Sequence, residues 1–337
     1  MANTLVQFEK LSTSSLKKGI MQTIIYNSPL LPNLPFITIN GNSYLYNLET
    51  TEAAADWYTV GDTWVEGAPV WDQRSVALKV LGGDADVDSF IQQTRKDQDV
   101  EAGIIELKSK AIAYKFDVDS ILGQTTSTKD TKAMTGLMLL LAHCETNTAT
   151  LTTDWDGPNN SQIILGSSAA STAPVTLTLA KLDELIDAVK VMPVDCLLMS
   201  KAMRRKVNAL AYASGSALVT QPRDEFGRFI QMYNGIPIIV SDRVPDNIIN
   251  GTTSTRAIAI SSYVQATART TGTTGGVIFA IHFGEDGLCG VQNAGIQVES
   301  IGKLETKDAM RTRIKWYCNL ALFNTKAIAG LASIKYD

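Results

Sequence analysis

The stretch Gly82–Phe90, GGDADVDSF, decides how the rest of the chain is read. Three aspartates alternate with small or apolar residues behind a glycine pair, and a long helical pattern follows at once, IQQTRKDQDVEAGIIELKSKAIAYKF. An EF-hand calcium loop needs acidic or amide ligands at alternate positions, then a glycine, then a bidentate glutamate in last place. Asp84, Asp86 and Asp88 satisfy the start, but Ser89 holds the glycine position and Arg95 the place of the final ligand. A cation there defeats the site. The aspartates are therefore expected to open a helix, capped by Asp88 and favoured by the positive helix end. The glycines are expected to end the segment before it.

That preceding segment reads DWYTVGDTWVEGAPVWDQRSVALKVLGG (Asp56–Gly83), two extended arms around a VEGAP tip. Trp57, Trp64 and Trp71 fall here, three of the chain's five tryptophans. A two-stranded ribbon with few aliphatic residues makes no core of its own and needs a partner surface. Further upstream, STSSLKKGIMQTIIY (12–26) suggests a short capped helix, and NSPLLPNLPF carries Pro29, Pro32 and Pro35. Proline fixes φ, so an extended connector is expected, lying along its own or a neighbouring surface. FITINGNSYLYNLE (Phe36–Glu49) alternates like a strand and contains an Asn-Gly turn signal.

Downstream, Phe90, Ile91, Ile104, Leu107, Ala111 and Ile112 are expected to share one helix face, with Gly103 marking a bend or a close contact. AMTGLMLLLAHC (Ala133–Cys144) reads as a buried helix, too short to span a bilayer. Two amphipathic helices follow, behind Thr178 and behind Ser200. The later runs IPIIVSD, RAIAISSY, GGVIFAIHFG and GIQVES are strand-like. MRTRIKWYCNLALFN (310–324) is a long alternating strand with Arg311, Arg313 and Lys315 on one side and Met310, Thr312, Ile314 and Trp316 on the other.

The totals narrow the function classes. A chain of 337 residues, 45% hydrophobic, can bury a substantial core in one large or two ordinary domains. Net charge is −4, and the one basic cluster, Arg204-Arg205-Lys206, reads as the solvated face of a helix, which argues against a free-standing nucleic-acid binder. Four widely spaced cysteines exclude a zinc ribbon or a CxxC redox motif. With no export-signal pattern at the N-terminus, an intracellular product is expected, with no membrane partner.

Catalytic patterns fail one by one. GIQVESIGKL (Gly295–Leu304) has the look of a phosphate loop, but its glycines are too far apart and Leu304 stands where magnesium needs a hydroxyl. His143 and His282 sit in a buried-helix and a strand pattern, and are read as structural. Neither GxSxG nor HExxH occurs. No enzyme, metal or cofactor is expected.

The order of these segments carries a resemblance. A short N-terminal helix, LPFITINGNSYLYNLE, a hairpin with W-x-E-x-x-P-V at its tip, LGGDADVDSFIQQT and a long helix ending AYKFDVDSILG come first. LDELIDAV, CLLMS, MRRKVNAL, YNGIPIIVSDRVP, FAIHFGEDGLCGVQNAGIQVESIG, RTRIKWYCNLAL and AIAGLASI follow. From about residue 10 to the C-terminus the chain resembles the major capsid protein of tailed bacteriophages, the Hong Kong 97-type shell fold.

The resemblance implies an α+β capsid fold with an N-arm at 1–55, an E-loop hairpin at 56–83 and a P-domain with its spine helix at 84–176. An A-domain, a central sheet flanked by helices, would occupy 177–285; 286–337 would return to the long P-domain sheet, the last strand being a candidate for the A-domain. It implies self-assembly into hexamers and pentamers of an icosahedral head around double-stranded DNA, without sequence-specific contact. The encapsulin-type nanocompartment is the alternative with the same fold. Expected E-loop contacts between subunits are Trp64, Glu66, Pro69, Trp71 and Arg74; N-arm contacts are Leu30, Leu31, Leu34 and Phe36; the spine helix shows Asp88, Phe90, Arg95, Ile104 and Leu107. Further implied partners are a separate scaffolding protein, a portal and a decoration protein, with the virion capsid as location and the host cytoplasm as the place of assembly.

Some members of the family cross-link neighbours through an E-loop lysine. Here the one lysine between Asp56 and Gly83 is Lys79, at the base of the hairpin. Particles boiled in denaturing detergent are expected to run as a single monomer band, and a ladder of multiples would refute this.

Overall fold

The computed structural model describes residues 29–51, 53, 55–64, 66–68, 70–94, 100–123, 132–144, 155–156, 161–165, 174–190, 193–214, 219–222, 230–246, 248–249, 257–258 and 274–335. The short helix expected at 12–26, together with Pro69 and Arg95, lies outside these residues. In chain order the strands begin with β1 (Phe36–Thr38), β2 (Ser43–Thr51), β3 (Val70–Ala77), β4 (Lys79–Asp88), β5 (Trp155–Asp156) and β6 (Ile163–Leu165). Next come β7 (Val175–Thr176), β8 (Cys196–Met199), β9 (Val219–Thr220), β10 (Met232–Tyr233), β11 (Ile236–Val240) and β12 (Ile248–Ile249). The last are β13 (Ala257–Ile258), β14 (Thr274–Ile281), β15 (Leu288–Gln292), β16 (Gln297–Lys303), β17 (Ala309–Leu322) and β18 (Ile328–Lys335). The helices are α1 (Ser89–Thr94), α2 (Val100–Leu122), α3 (Leu137–Ala142), α4 (Leu179–Ala188) and α5 (Lys201–Ser214).

The alternating run at 310–324 forms β17, and it organises a five-stranded sheet. On one side it pairs with β15 and β16, on the other with β4; β1 adds to β15. Its odd-numbered cations meet acids on both neighbours. Arg311 forks onto Asp86 through Nε and Nη2 at 2.6 and 2.7 Å, and Arg313 onto Asp84 at 2.7 and 2.9 Å. Lys315 Nζ donates to Glu299 on β16 at 2.7 Å. Bidentate guanidinium–carboxylate pairs are the stronger kind of ion pair and add directional specificity. These hydrogen bonds hold both Asp84 and Asp86 below the ordinary carboxylate range.

GGDADVDSF therefore folds differently from its sequence reading. Gly82–Asp88 is strand, in register with β17 from Gly82 opposite Lys315 to Asp88 opposite Ala309. The glycines do not end an element. A Cβ at Gly82 would lie 2.6 Å from the Ile314 carbonyl oxygen, so the missing side chain lets the two backbones approach. The acids alternate because they line one face of a strand, opposite the alternating cations of its partner. Asp88 does cap the turn that follows: its Oδ1 accepts from Phe90 N at 2.8 Å.

The other face of the sheet is apolar and covered by helix. Ala85, Val87, Thr312, Ile314 and Trp316 are buried there, and Thr312 Oγ1 donates to Glu101 of α2 at 3.3 Å. The expected helix face is corrected in three places. Ile91 is buried but Phe90 is 63% exposed, since a one-residue step turns it to solvent. Ile104 and Leu107 are half-buried and Ala111 is exposed, whereas the later turns bury Ile112, Phe116 and Ile121 fully. At Gly103 the helix runs through without a close neighbour.

The second sheet has nine strands, in the order β6-β18-β14-β8-β11-β10-β9, with β7 on β18 and β12 on β14. One face carries α4 and α5, whose Leu182, Leu185, Met203 and Val207 pack on Leu197, Met199, Ile278 and Leu331. Both helices start at the expected caps: Thr178 Oγ1 accepts from Lys181 N and Ser200 Oγ from Met203 N, each at 3.3 Å. The opposite face meets α3, all six of whose residues are buried, and Trp155, whose Nε1 donates to the Met138 carbonyl at 2.7 Å. This core is continuous with β17 through Trp316, Cys318, Leu320 and Leu322, so the two sheets share it.

The ladder gives a testable expectation. In a double-mutant cycle of Asp86→Ala and Arg311→Ala, followed by urea unfolding, the two losses are expected to be less than additive. Because the Asp86 carboxyl is held low in the folded state, its contribution is present above the ordinary carboxylate range and is lost as pH falls through the lowered value. The coupling should therefore shrink in acid; additive losses at neutral pH would contradict the pairing.

Candidate assembly surface

Strands β2 and β3 pair with each other in a two-stranded ribbon, from Ser43 opposite Ala77 to Thr51 opposite Val70. The first arm of the hairpin thus lies at Ser43–Thr51, ahead of the expected Asp56 start, in the run that follows the Asn-Gly turn. Alternation gives the ribbon two faces. Tyr44, Tyr46, Arg74 and Val76 are half-buried; Leu45, Asn47, Trp71, Gln73 and Ser75 are exposed.

The inner face is seated on the body. The Tyr44 and Tyr46 rings meet Phe323 edge-on, with centroids 5.7 and 5.1 Å away, and Val76 and Leu78 pack by Ile39, Val291 and Ala321. At the base, the buried Asn319 side chain donates to the Ala77 carbonyl at 2.7 Å and accepts from Thr135 N at 3.0 Å. Leu78 N donates to the Asn42 carbonyl at 2.8 Å.

At the far end Thr59–Asp62 closes a turn. Thr59 N and Oγ1 both donate to Asp62 Oδ2, at 2.7 and 2.5 Å, and Asp62 N donates back to the Thr59 carbonyl. Gly61 supplies the positive φ of +101° that this turn requires. Tyr58 stacks on Trp64 at 4.4 Å beside it.

Of the expected ribbon residues, Trp64 and Trp71 are 79% and 65% exposed and Glu66 is exposed. Trp57 and Val60, absent from that expectation, are the most exposed large apolar residues described. Arg74 points the other way: it lies on the inner face, and Nη1 donates to the His143 carbonyl at 3.5 Å.

The arm residues are also corrected. Leu30 and Leu34 are buried in the chain's own core, and Leu31 packs against it. Instead of an extended connector, Pro29–Leu34 makes a tight turn in which Asn33 N and Leu34 N donate to the Leu30 carbonyl, so that two leucines four residues apart reach the same core. Phe36 tilts against Phe116 and Trp316 at 6.4 and 5.5 Å. Further exposed apolar residues are Ile296, just before β16, and Val298 and Ile301 on it; the run was read as a strand, but period alone did not say which face lacked a cover.

The cysteines and histidines are held by burial or by orienting contacts. Burial pushes the Cys144 and Cys318 thiols up to about 12 and raises Cys196 and Cys289 as well, so thiolate is scarce at neutral pH. Burial, with help from Arg74, lowers His143 to about 4. His282 Nδ1 lies 2.8 Å from Asp195 Oδ2 and 3.0 Å from the Pro193 carbonyl, an orienting role between strands. Among the described residues no group of three His, Cys, Asp or Glu side chains could hold a metal, and no helix is long and apolar enough to cross a membrane.

No family model matches the sequence, and no curated protein matches it. Solved structures do. The capsid chain of cyanophage A-1(L) superposes with a TM-score of 0.65 at 13% identity, over 92% of this chain and 94% of that one. The SrpI encapsulin of Synechococcus elongatus PCC 7942 gives 0.60 at 15% identity, over 100% and 97%. The capsid of a native GTA particle gives 0.60 at 14% identity, over 93% and 92%. The chain thus has the mixed helix-and-sheet fold of these capsid and encapsulin chains, the Hong Kong 97-type fold that the segment order resembles.

Proposed function

We propose that this chain is a non-enzymatic shell protein, the major capsid protein of a tailed-phage head. It assembles with itself into hexamers and pentamers of an icosahedral shell around double-stranded DNA. The observation that carries the reading is the β2–β3 hairpin: Trp71 on the paired strands, and Trp57 and Trp64 in the segment beyond them, all stand in solvent. Such a ribbon is stable in context when its exposed face is covered by another surface, and here a second copy supplies it. Closing a lattice makes each modest contact effectively intramolecular, so many weak contacts suffice.

In this reading 1–55 is the N-arm except for the β2 strand, which joins 56–83 in the E-loop; 84–176 is the P-domain with α2 as spine and 177–285 the A-domain; 286–337 returns to the P-domain sheet. The participation of β18 in the nine-stranded sheet supports its assignment to the A-domain. The body use of Leu30, Leu34 and Phe36 leaves the ribbon, not the arm after Pro29, as the main contact with neighbours. A scaffolding protein, a portal and a decoration protein are proposed partners, the virion capsid the location, and the host cytoplasm the place of assembly. A mildly acidic chain, at net −4, suits a container for a polyanion that must be released.

The full-length superposition on an encapsulin supports a second reading, a cellular compartment loaded with a cargo protein. Negative-stain images of the concentrated protein should show hollow, roughly icosahedral particles. Nucleic acid in particles from the native source supports the phage reading, a protein cargo the compartment; a small, discrete oligomer refutes both.

The ribbon itself is tested by Trp64→Ala combined with Trp71→Ala. Both side chains are exposed, so unfolding of the unassembled chain should shift by about 0.5 kcal/mol or less per site. Particle yield is expected to collapse. Unimpaired shells would remove the ribbon from the interface.

A further inference from the structure

We infer that Arg74 is a positioning residue that sets the angle at which the ribbon leaves the body. The ribbon's attachment has two parts with different mechanical roles. At its base, Asn319 holds the Ala77 carbonyl and Asn42 holds Leu78 N, so this end is fixed in place and acts as a pivot. Hydrogen bonds at a pivot resist displacement but resist rotation poorly, because they have no lever arm. Arg74 lies three residues further out, about 10 Å along the strand at 3.4 Å per residue. A contact at that distance acts as a stay.

The stay reaches the C-terminal end of α3. His143 is the C-cap of this helix, and its carbonyl belongs to the last turn, whose carbonyls have no partner within the helix. The guanidinium satisfies it from the ribbon side, with Asp72 3.6 Å from Nε on the same strand. Across the ribbon from Arg74 stands Tyr46, whose ring abuts Phe323, so the polar stay and an aromatic contact occur at the same level of the ribbon. Beyond that level lie the three exposed tryptophans, Trp57, Trp64 and Trp71.

His143 does not compete for the role of switch. Its imidazole, held near 4, stays neutral through the physiological range, so the carbonyl faces Arg74 without a second cation beside it. Arg74 is thus expected to hold the ribbon unchanged from mildly acidic to neutral pH. The Arg74 contact, beside the Tyr46–Phe323 contact at the same level, then sets where Trp64 and Trp71 are presented. This deepens the reading of the ribbon as the assembly element, but the geometry it claims belongs to the isolated chain.

The test measures the angle directly and without assembly. All four native cysteines are buried, so spin labels can be placed selectively on Val60→Cys at the tip and Lys326→Cys on the body. In the unassembled chain carrying native Arg74, the distance between labels should form one narrow distribution. Arg74→Ala should broaden or displace it. Arg74→Lys, which keeps a cationic donor, should restore most of the narrow peak. Gln73→Ala, on the exposed face of the same strand, should leave it unchanged, and all variants should melt with the parent. The inference is overturned if Arg74→Ala keeps the parent distribution, or if Gln73→Ala broadens it as much. Failure of the particles to form would bear on the shell reading alone.

Discussion

Asp84 and Asp86 meet Arg313 and Arg311 in one register only. A slip of one residue would turn these acids away from Arg311 and Arg313 to the face that α2 covers and set charge against Ile314 and Trp316. A slip of two in one direction would leave Arg313 opposite Gly82 and keep one Asp–Arg pair. In the other direction Asp86 and Asp88 would meet Arg313 and Arg311, so charge alone would allow it, but Asp84 would replace Gly82 where the strand approaches the Ile314 carbonyl, and a side chain does not fit there. Sterics at Gly82 thus excludes the slip that electrostatics permits, and the two together fix the pairing.

From that register the placement of the neighbouring elements follows. Only Leu78 separates β3 from β4, so fixing β4 fixes where the ribbon starts. At its other end β4 passes directly into α1 through the Asp88 cap, which sets the start of the helical layer over the sheet. On the far side of β17 the turn after β15 lets β16 continue along the same edge, bringing Glu299 to Lys315. The shared core around α3 and Trp316 then joins this sheet to the nine-stranded one, and the outer face of the ribbon is left outside it.

What the sequence disclosed depended on whether a segment's partner was local. The caps at Thr178 and Ser200, the buried run at α3 and the alternation of β17 are properties of short windows, and all were readable. The ribbon was readable as an element because tryptophans without aliphatic neighbours imply an outside surface, although its first arm was placed too late. The strand nature of Gly82–Asp88 was not readable in this way. Its complement, Arg311-x-Arg313, lies more than two hundred residues away, while the helical pattern is adjacent and made the acids look like a helix start. Arg74 failed similarly: on a ribbon read as needing a partner surface, an arginine looks like a contact for a neighbour. Its real partner is a backbone carbonyl, which has no signature in sequence. The prolines around Leu30 suggested extension, but burial of two leucines four residues apart prevailed over that preference.

The division between what folding fixes and what it leaves open explains how such a fold can persist at low identity. The body needs alternation, complementary charge at a few ladder positions, small residues at close approaches, and buried volume; many side-chain sets meet those demands. The ribbon's outer face is under none of them, because Leu45, Trp71 and Gln73 touch no core. In the proposed shell its chemistry can therefore drift until it matches whatever surface a second copy presents, with no loss to the monomer. Such freedom is useful only if the ribbon is aimed reproducibly, since a lattice closes only when every copy repeats the same angle. Aim cannot come from the drifting face; it has to come from the inner one, where Asn319, Phe323 and Arg74 tie the ribbon to elements the fold already holds in place.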